Sequence, residues 1–503
     1  MIKNSLGKMI PDGYKPFISV DHFKTESYNP LDKILSKEKC KRIESISLLF
    51  DELKIKDGMT FSFHHHYRNG DLLLNMVLKE IKIRNLKNIT LAPSSIFPIH
   101  EPLVDLIKNQ NVTSIFTNYV NGPVADAISH GYLKDLLIMD THGGRARAIE
   151  SGDIKIDVAF IAASAADLDG NANGIDGNNP CGPLGYIYPD LYYAKHKVIV
   201  TDTILDKLSK NEINHTYVDY LIKVDQIGLS SGIESGTTSM TKDPVQLKIA
   251  KDTVKLMNEL DVIKNNMSFQ TGAGTTSIAV AAYLKDEMIK HNIKGSFASG
   301  GITSSLVDMY NHKLFDKLYD VQSFDLTAVN SYKNNINHIL MDASQYANPF
   351  YKDAIVNKLD CVVLGATEID LNYNVNVTTT STHQLIGGSG GHSDTAYGSK
   401  LTIITTNLVK SRIPSIRNTI QVISTPGNSV DVIVTERGIS VNPNRNDLLD
   451  KLKNTQLKIL TIDELYQKAI EIAGLPELFK HKERVIGLVR YRDGSILDSI
   501  YEV

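Results

Sequence analysis

The sequence contains little cysteine, and the three cysteines it has lie far apart. Cys40, Cys181 and Cys361 form no Cys-x-x-Cys pair, and their number is odd. Disulfide frameworks and zinc ribbons need paired or closely spaced cysteines. The sequence therefore predicts neither of them.

Long apolar runs are absent as well. No stretch of the 503 residues approaches the roughly 18 apolar residues of a transmembrane helix, and residues 1–41 lack the apolar segment of a signal peptide. The net charge is −3, and the lysines are spread along the chain without the basic block that nucleic-acid binding needs. We expect a cytoplasmic protein with no membrane span and no nucleic-acid partner, whose partners are small molecules or proteins.

A strand-and-turn passage occurs twice in the chain. Residues 157–174 align without a gap with residues 360–377, and the copies share an opening Asp, an Ala, an Asp-Leu pair and an Asn-x-Asn pair. Each copy is an apolar run closed by a polar turn, which is typical of a strand buried in a parallel sheet. A second pair of matching segments, residues 59–62 and 267–270, is followed in each case by a turn and a helical pattern. Two matches in the same order indicate two related domains.

The repeat predicts an α/β fold made of two related open domains. The length of 503 residues agrees with this, because one domain usually has about 100–200 residues. Residues 227–239 are rich in Gly, Ser and Thr, so we place the crossing between the domains there. This division gives an N-terminal arm at 1–44, a first domain at 45–240 and a second domain at 241–503. A site between the two domains is the natural place for chemistry.

Three consecutive histidines lie between Ser62 and Arg68. Consecutive side chains on an extended segment point to opposite sides, so at most His64 and His66 converge on one metal ion. No neighbouring Cys or carboxylate pair completes a set of metal ligands. We therefore predict a polar strand end at an active site and no bound metal, with a packed or solvated cluster as the alternative.

Four glycine-rich turns accompany the histidines, at residues 142–147, 271–276, 299–305 and 387–394. Glycine lets backbone N–H groups approach a ligand closely, and the flanking Ser and Thr can add donors. Together with the histidines, these turns predict an active-site crevice at the ends of strands. None of them has the Gly-x4-Gly-Lys-Ser/Thr or Gly-x-Gly-x-x-Gly spacing, which disfavours ATP and NAD.

Five motifs carry a family resemblance, and they stand at residues 62–68, 141–149, 178–185, 387–392 and 434–438. In this order they resemble the family of bacterial citrate lyase α chains. More broadly, the two repeats are similar to acyl-CoA:carboxylate CoA-transferases. The resemblance implies two open α/β domains of that CoA-transferase (NagB/RpiA-like) type, facing each other across the active site.

The resemblance implies an exchange of acids on a thioester. Citrate would replace acetate on an acyl carrier protein, and a separate β chain, the lyase, would then cleave the citryl thioester. The implied partners are citrate, acetate, the β chain and the γ carrier chain, with a homo-oligomer of this chain inside the complex. No cofactor is expected on this chain, because the CoA-like (phosphoribosyl-dephospho-CoA) thiol belongs to the carrier.

Citrate has three negative charges, so arginine and histidine donors are expected in its pocket. The first-choice pocket residues are Ser62, His64, His65, His66 and Arg68. The further predicted substrate contacts are Arg145, Arg147, Thr275, Ser299, Gly300 and His392. The predicted oxyanion and thioester donors are Gly272, Ala273, Gly274, Gly387, Gly388, Ser389, Gly390 and Gly391.

One departure from the related CoA-transferases concerns the nucleophile. Those enzymes use a Glu that forms an enzyme–CoA thioester, and matching residues 306–308 to their pattern puts Gly300 in its place. No carboxylate lies between Gly295 and Thr303. This predicts direct attack by citrate on the thioester through a mixed anhydride. Glu368 is the one residue suspected as a substitute, and a strand-end capping role is the alternative for it.

Three other functions remain open at this point. A CoA-transferase that acts on free CoA esters would use almost the same residues. A sugar-phosphate isomerase or deaminase would need a catalytic carboxylate and a phosphate clamp on the same loops. A non-catalytic scaffold would have no need for a His/Arg cluster beside glycine turns.

Overall fold

The computed structural model describes residues 1–234, 240–272, 274–476 and 479–503. Its strands are β1 (Ile2–Lys3), β2 (Met9–Ile10), β3 (Lys41–Ile43), β4 (Thr60–Phe63), β5 (Ile89–Pro93), β6 (Val112–Thr117), β7 (Leu137–Met139), β8 (Val158–Ala162), β9 (Ala165–Ala166), β10 (Ala172–Asn173), β11 (His196–Thr201), β12 (Tyr220–Lys223), β13 (Ser268–Thr271), β14 (Gly295–Ile302), β15 (Phe315–Ser323), β16 (His338–Leu340), β17 (Cys361–Gly365), β18 (Glu368–Asp370), β19 (Val375–Asn376), β20 (Thr402–Thr405), β21 (Val409–Lys410), β22 (Ile413–Pro414), β23 (Ile416–Arg417), β24 (Val432–Thr435), β25 (Gly438–Val441), β26 (Val485–Arg490) and β27 (Ile496–Tyr501). Its α-helices are α1 (Ile46–Glu52), α2 (Leu73–Ile83), α3 (Leu103–Lys108), α4 (Pro123–Ser129), α5 (His142–Glu150), α6 (Tyr188–Tyr193), α7 (Pro244–Glu259), α8 (Thr275–Lys290), α9 (Ser304–Asn311), α10 (Leu326–Asn334), α11 (Ala343–Ala347), α12 (His392–Gly398), α13 (Asn446–Leu452) and α14 (Ile462–Ala473). Within the described residues, no helix is both long enough and apolar enough to cross a membrane.

Two large sheets form the centres of two domains. The strand order is β27-β26-β7-β6-β5-β4-β8-β11-β12-β3 in the first sheet and β16-β15-β14-β13-β17-β20-β24-β25 in the second. The outer pairs β26–β27 and β24–β25 are antiparallel, and the inner pairs are parallel. The predicted α/β fold of two open domains is confirmed.

The repeat in the sequence is a repeat of strands in space. The run β7-β6-β5-β4-β8-β11-β12 corresponds, strand by strand, to the run β16-β15-β14-β13-β17-β20-β24. The duplicated passage supplies β8 with the hairpin β9–β10, and it supplies β17 with the hairpin β18–β19. Ala165 pairs with Asn173 in the first hairpin. Glu368 pairs with Asn376 in the second, and these are the aligned positions.

The acidic residue that opens each copy makes the same hydrogen bond in both domains. Asp157 accepts a hydrogen bond from the backbone N–H of Thr60 at 2.9 Å. Asp360 accepts the corresponding one from Ser268, also at 2.9 Å. Each carboxylate thus holds the start of β4 or β13 beside the next strand. The shared aspartates are therefore explained by backbone hydrogen bonding.

The C-terminal boundary of the second domain needs a correction. β26 pairs with β7, and β27 extends the same edge, so both strands belong to the first sheet. The predicted second domain, 241–503, therefore ends before β26. The predicted arm, 1–44, also contributes β3 to the opposite edge of the first sheet. The sequence does not predict these two edge strands. Any strand can complete the open edge of a sheet, and the order of strands along the chain does not show which strand does so.

The glycine-rich segments mostly adjoin helix starts, namely those of α5, α8 and α12. The exception is residues 299–301, which are predicted as a turn but lie inside β14. The register of β14 against β15 shifts between Gly300 and Gly301. Gly300 has a φ of +110°, which costs glycine little, so the strand is bulged and continues.

The two domains are joined at the start of α5. Asp394 of α12 is fully buried and accepts hydrogen bonds from Thr141 Oγ1 and from the Gly143 N–H, each at 2.9 Å. Arg492, in the turn between β26 and β27, donates from Nε to the same carboxylate at 2.9 Å. A carboxylate is stabilised by helix N-terminal N–H groups and by a cation. The first turn of α5 is thereby held against the second domain.

Candidate active site

A cavity of about 730 Å³ lies between the two domains. Its first-domain wall comes from residues that follow β4, β5, β6 and β7, and its second-domain wall comes from the ends of β13, β15, β17 and β20 and from the loop before α12. The carboxyl ends of parallel strands from both sheets therefore meet at this interdomain cavity. Open α/β sheets usually bind their ligands at that edge.

Arg68 is the predicted substrate-binding arginine that reaches the cavity. Its guanidinium carbon lies 4.6 Å from the centre of the Phe324 ring and 5.6 Å from that of Phe97. Burial lowers the pKa of Arg68, yet an arginine remains charged in proteins. The wall therefore carries the positive charge of Arg68, which packs against two aromatic rings.

Lys410 is a second cation at the cavity, and no sequence motif identifies it. Its Nζ donates to the Ala366 carbonyl at 2.8 Å, and burial of the amine lowers its pKa. Among the described residues that line the cavity there is no Asp and no Glu. This part of the wall has positive charge without negative charge, which favours an anionic ligand.

Three histidines on the cavity wall are neutral. Burial lowers the pKa of His142 to about 3 and that of His392 to about 4, and it holds the pKa of His65 well below its ordinary value. The ring of His65 stacks on Tyr186 with a centroid distance of 4.7 Å, and the ring of His142 lies tilted against Tyr186 at 4.6 Å. His392 is held at both ring nitrogens, by a backbone carbonyl at 2.9 Å and a hydroxyl at 2.8 Å. These rings therefore serve as uncharged surfaces and hydrogen-bonding groups.

Three other predicted substrate contacts surround Asp190 and do not line the cavity. Arg145 donates to Asp190 from Nη1 at 3.0 Å and from Nη2 at 3.1 Å. His64 Nε2 lies 2.9 Å from the same carboxylate, and Ser62 donates to it. Burial opposes ionisation of Asp190, but Arg145 and His64 together hold its pKa below the ordinary value. Asp190, which belongs to none of the sequence motifs, neutralises the charge of Arg145. The buried cluster therefore holds the end of β4 in place.

Four further predicted contacts also lie off the cavity wall. Arg147 forms a 2.6 Å salt bridge with the aspartate six residues later. His66 is buried, with its Nε2 3.4 Å from the backbone nitrogen of Tyr186. Ser299 and Gly300 lie within β14, where the Ser299 hydroxyl donates at 3.1 Å to a glutamine that does line the cavity. His66 and Ser299 thus contact residues of the wall, whereas Arg147 is engaged away from it.

Both predicted donor loops line the cavity. Gly272, Gly274 and Thr275 lie where β13 meets α8, and residues 387–391 precede α12. Ala273, predicted with them, lies outside the described residues. The first N–H groups of a long helix such as α8 have no partner within the helix, so they can bind an anion or an oxyanion.

Glu368 is buried and is not part of the cavity wall. It forms a salt bridge with Arg417, and it accepts a hydrogen bond from Asn376 Nδ2 at 3.1 Å. A carboxylate held in this way is occupied by its partners. The structure therefore agrees with the strand-end role.

The fold brings several groups to the cavity that no sequence motif identifies. They are Gln270, Phe324, Tyr119, Tyr186, Tyr346 and Lys410. Most of them are single residues at or just after strand ends, so position after a strand is the one signal that points to them. No group of three or more His, Cys, Asp or Glu side chains in the described part of the chain is arranged to hold a metal ion.

Comparisons with known proteins agree with one another. A family model described as citrate lyase, alpha subunit, matches residues 39–503. The citrate lyase alpha chain of Escherichia coli strain K12 is 43% identical over 450 residues, which cover 89% of this chain and 88% of the relative. A crystal structure of the alpha subunit of citrate lyase from Streptococcus mutans, in complex with citrate, has a TM-score of 0.96 and 42% identity and covers 100% of both chains. A malonate decarboxylase alpha subunit from Acinetobacter baumannii has a TM-score of 0.64 at 13% identity, covering 88% of this chain and 86% of the other, and so shares the fold.

Proposed function

The chain belongs to the citrate lyase alpha-subunit family, whose reaction is the transfer of citrate onto an acetyl-carrier thioester, and we propose that it works without a covalent enzyme intermediate. In this mechanism a citrate carboxylate attacks the acetyl thioester directly. The product of that attack is a mixed anhydride of citrate and acetate, held in the interdomain cavity. The thiolate released in the first step then attacks the citryl carbonyl, and acetate leaves.

The observation that carries this proposal is the absence of a carboxylate on the described cavity wall. A covalent route through an enzyme–CoA thioester needs an Asp or Glu whose oxygen reaches the thioester carbonyl. Glu368, the suspected substitute, is buried against Arg417. A sugar-phosphate isomerase would also need a carboxylate base at the cavity, so the same observation disfavours that alternative.

We place citrate in the interdomain cavity beside Arg68. The Streptococcus mutans relative is described as a complex with citrate, and the positive charge of this cavity suits a trianion. The neutral histidines His65 and His142 can donate or accept hydrogen bonds without adding charge. Arginine binds carboxylates through paired N–H donors, which orients one carboxylate for attack.

We propose that the glycine loops supply N–H donors to the oxygen that becomes negative during transfer. Gly274 adjoins the start of α8, and residues 387–391 also line the cavity. The N–H groups of Gly272 and Gly390 already donate to backbone carbonyls, at 3.1 and 3.3 Å, so the donors come from the other residues of these loops. Preorganised donors of this kind stabilise a tetrahedral oxyanion more than the ground-state carbonyl. The thiolate leaving group stays close to the anhydride because the cavity encloses both.

The acyl group is proposed to arrive on a partner protein. The CoA-like thiol would belong to the γ carrier chain, and the citryl thioester would pass to the β lyase chain. The cavity of about 730 Å³ has room for citrate together with the end of a flexible thiol arm. No step of the exchange needs a cofactor on this chain.

The test is transfer from acetyl-CoA, as a stand-in for the carrier thioester, to citrate, with borohydride in a parallel sample to trap an enzyme-bound thioester. We expect citryl-CoA and acetate without loss of activity in the borohydride sample. Inactivation that depends on acetyl-CoA would reveal a covalent carboxylate and refute the direct route. No transfer to any carboxylate, even with the carrier protein present, would refute the transferase function.

A further inference from the structure

Gln270 is a cavity residue whose amide is held by two hydroxyl groups. It lies near the carboxyl end of β13, lines the cavity and is buried. Its Nε2 donates to Tyr346 Oη at 2.8 Å, and its Oε1 accepts from Ser299 Oγ at 3.1 Å. Burial raises the pKa of Tyr346, so the phenol is protonated and its oxygen is available as an acceptor. The two hydroxyl groups therefore hold the amide at both of its ends.

One N–H of this amide has no acceptor among the described residues. A primary amide carries two N–H donors, and Tyr346 accepts one of them. A buried donor without an acceptor costs free energy, and such groups in native proteins usually have a functional explanation. Since Gln270 lines the cavity, a ligand in the cavity is the acceptor that can satisfy the second N–H.

Gly300 makes room for the amide. A Cβ on residue 300 would lie 2.7 Å from Gln270 Nε2 and 2.8 Å from its Cδ, closer than such atoms approach each other. The φ of +110° at this position is one that residues with a side chain rarely adopt. The bulge of β14 therefore leaves the space in which the amide is seated, and any side chain at position 300 would displace it.

We infer that Gln270 donates its second N–H to the acyl oxygen of the thioester during transfer. This inference rests on the proposed function. When a citrate oxygen bonds to the acyl carbon, the carbonyl π electrons move onto the acyl oxygen, which accepts the N–H. Collapse of the adduct restores the carbonyl and breaks the C–S bond, so the thiolate leaves and no proton changes place. The amide is uncharged at every pH and acts as a hydrogen-bond donor alone.

The variants Gln270→Met and Gln270→Ala test this role. Methionine keeps nearly the same volume without an N–H donor, so its effect separates hydrogen bonding from packing, and it also covers the case in which the alanine variant fails to fold. Loss of one oxyanion donor lowers kcat about 100-fold in comparable enzymes. We expect that loss in kcat for acetyl transfer from acetyl-CoA to citrate. The KM for citrate should stay within about threefold, because the N–H acts in the transition state.

The matched control is Gln467→Ala, which removes an exposed glutamine from α14. It should change neither kcat nor KM. Citrate binding by calorimetry should be the same in wild type and in Gln270→Met. A kcat within about threefold of wild type in Gln270→Met would overturn the inference while leaving the transferase function intact. A raised KM with unchanged kcat would overturn it too, by assigning Gln270 to ground-state binding.

A failure of the proposed function gives a different result. In that case the wild-type chain transfers no acetyl group to citrate, with or without carrier protein, and the inference falls together with the function. Tyr346→Phe provides a further check within an active enzyme. It removes one of the two groups that hold the amide in place and leaves the amide itself, so we expect a smaller loss of kcat than in Gln270→Met. A Tyr346→Phe loss larger than that of Gln270→Met would contradict the role of Gln270 as the donor.

Discussion

Arginines of this chain differ in role according to the residues around them. Arg68 and Arg145 both stand in motifs that predict a citrate pocket, and only Arg68 lines the cavity. Arg145 makes a two-pronged pair with Asp190, which lies 45 residues away in the sequence. An arginine paired in this way has its donors and its charge engaged. Residue type and motif thus indicate a candidate, and the partner decides its role.

We predict that Arg68→Gln weakens citrate binding. The substitution removes a positive charge from a cavity wall that has no negative charge in its described part. Charged hydrogen bonds to a carboxylate are worth about 1.5–3 kcal/mol, so the KM for citrate should rise on the order of 10- to 100-fold. Steady-state kinetics with citrate as the varied substrate measure this. Arg42→Gln, an exposed arginine on β3, is the control, and an equal change in both variants would contradict the prediction.

We predict that His383 makes the protein sensitive to acid. It is buried, neither ring nitrogen has a hydrogen-bond partner in the described structure, and the ring lies 4.7 Å from that of His481. Burial, then the nearby His481 and Lys8, lowers the pKa of His383 to about 4. The unfolded chain takes up this proton near pH 6.5 and the folded chain does not, so stability is complete above about pH 6.5 and falls as the pH drops toward 4.

His383→Phe tests the prediction, since phenylalanine cannot take up a proton. Urea unfolding at pH 7.5 and pH 5.0 should show that the variant loses roughly 1–2 kcal/mol less than wild type on acidification. His130→Phe, at an exposed histidine, should lose as much as wild type. Equal acid losses in wild type and His383→Phe would refute the assignment.

At the scale of elements, the start of α5 depends on close backbone approach. Gly143 lies in the first turn of α5, where its N–H donates to Asp394. A Cβ on Gly143 would lie 1.9 Å from the carbonyl oxygen of Ala347, at the end of α11. Glycine at position 143 therefore allows two helices from different domains to meet.

We predict that Gly143→Ala destabilises the protein. The added methyl group has to push α5 away from α11, and overpacking of this kind costs about 1–3 kcal/mol or more. Gly365→Ala is the matched control, because a Cβ there meets nothing within 4 Å. Urea unfolding followed by circular dichroism compares the two. The prediction is wrong if Gly143→Ala and Gly365→Ala have the same midpoint.

At the scale of the whole molecule, the strands β26 and β27 join the two domains. The C-terminal strands β26 and β27 complete the first sheet after the chain has built the second domain. The turn between them carries Arg492, which is fully buried and pairs with Asp394 of the second domain. The hairpin β26–β27 therefore connects the two domains through the salt bridge between Arg492 and Asp394.

We predict that Arg492→Met loosens the association of the domains. Removing one partner of a buried ion pair leaves the other charge uncompensated and costs about 3–5 kcal/mol. We expect a lower midpoint in urea, and we expect calorimetric unfolding to become less cooperative. Arg437→Met is the control, because its side chain is 58% exposed. A double variant with Asp394→Asn should lose less than the sum of the single losses, and a simple sum would contradict direct pairing.

The sequence by itself determined the architecture and the general place of the site. A buried strand, its closing turn and the helix after it are local patterns, and their repetition requires two similar sheets, because equal patterns of apolar and polar residues fold alike. The glycine loops lie at strand ends for the same local reason, and Arg68 follows β4 directly.

Only the tertiary structure decided which polar groups face the cavity and which stabilise its wall. Asp190 forms a salt bridge with Arg145, and Arg417 forms one with Glu368. The partners of each pair are distant in sequence. The seating of Gln270 and the return of the C-terminal hairpin depend in the same way on remote contacts. The energy of a buried charge or amide depends on its nearest neighbours in space, and those neighbours exist only once the sheets have formed.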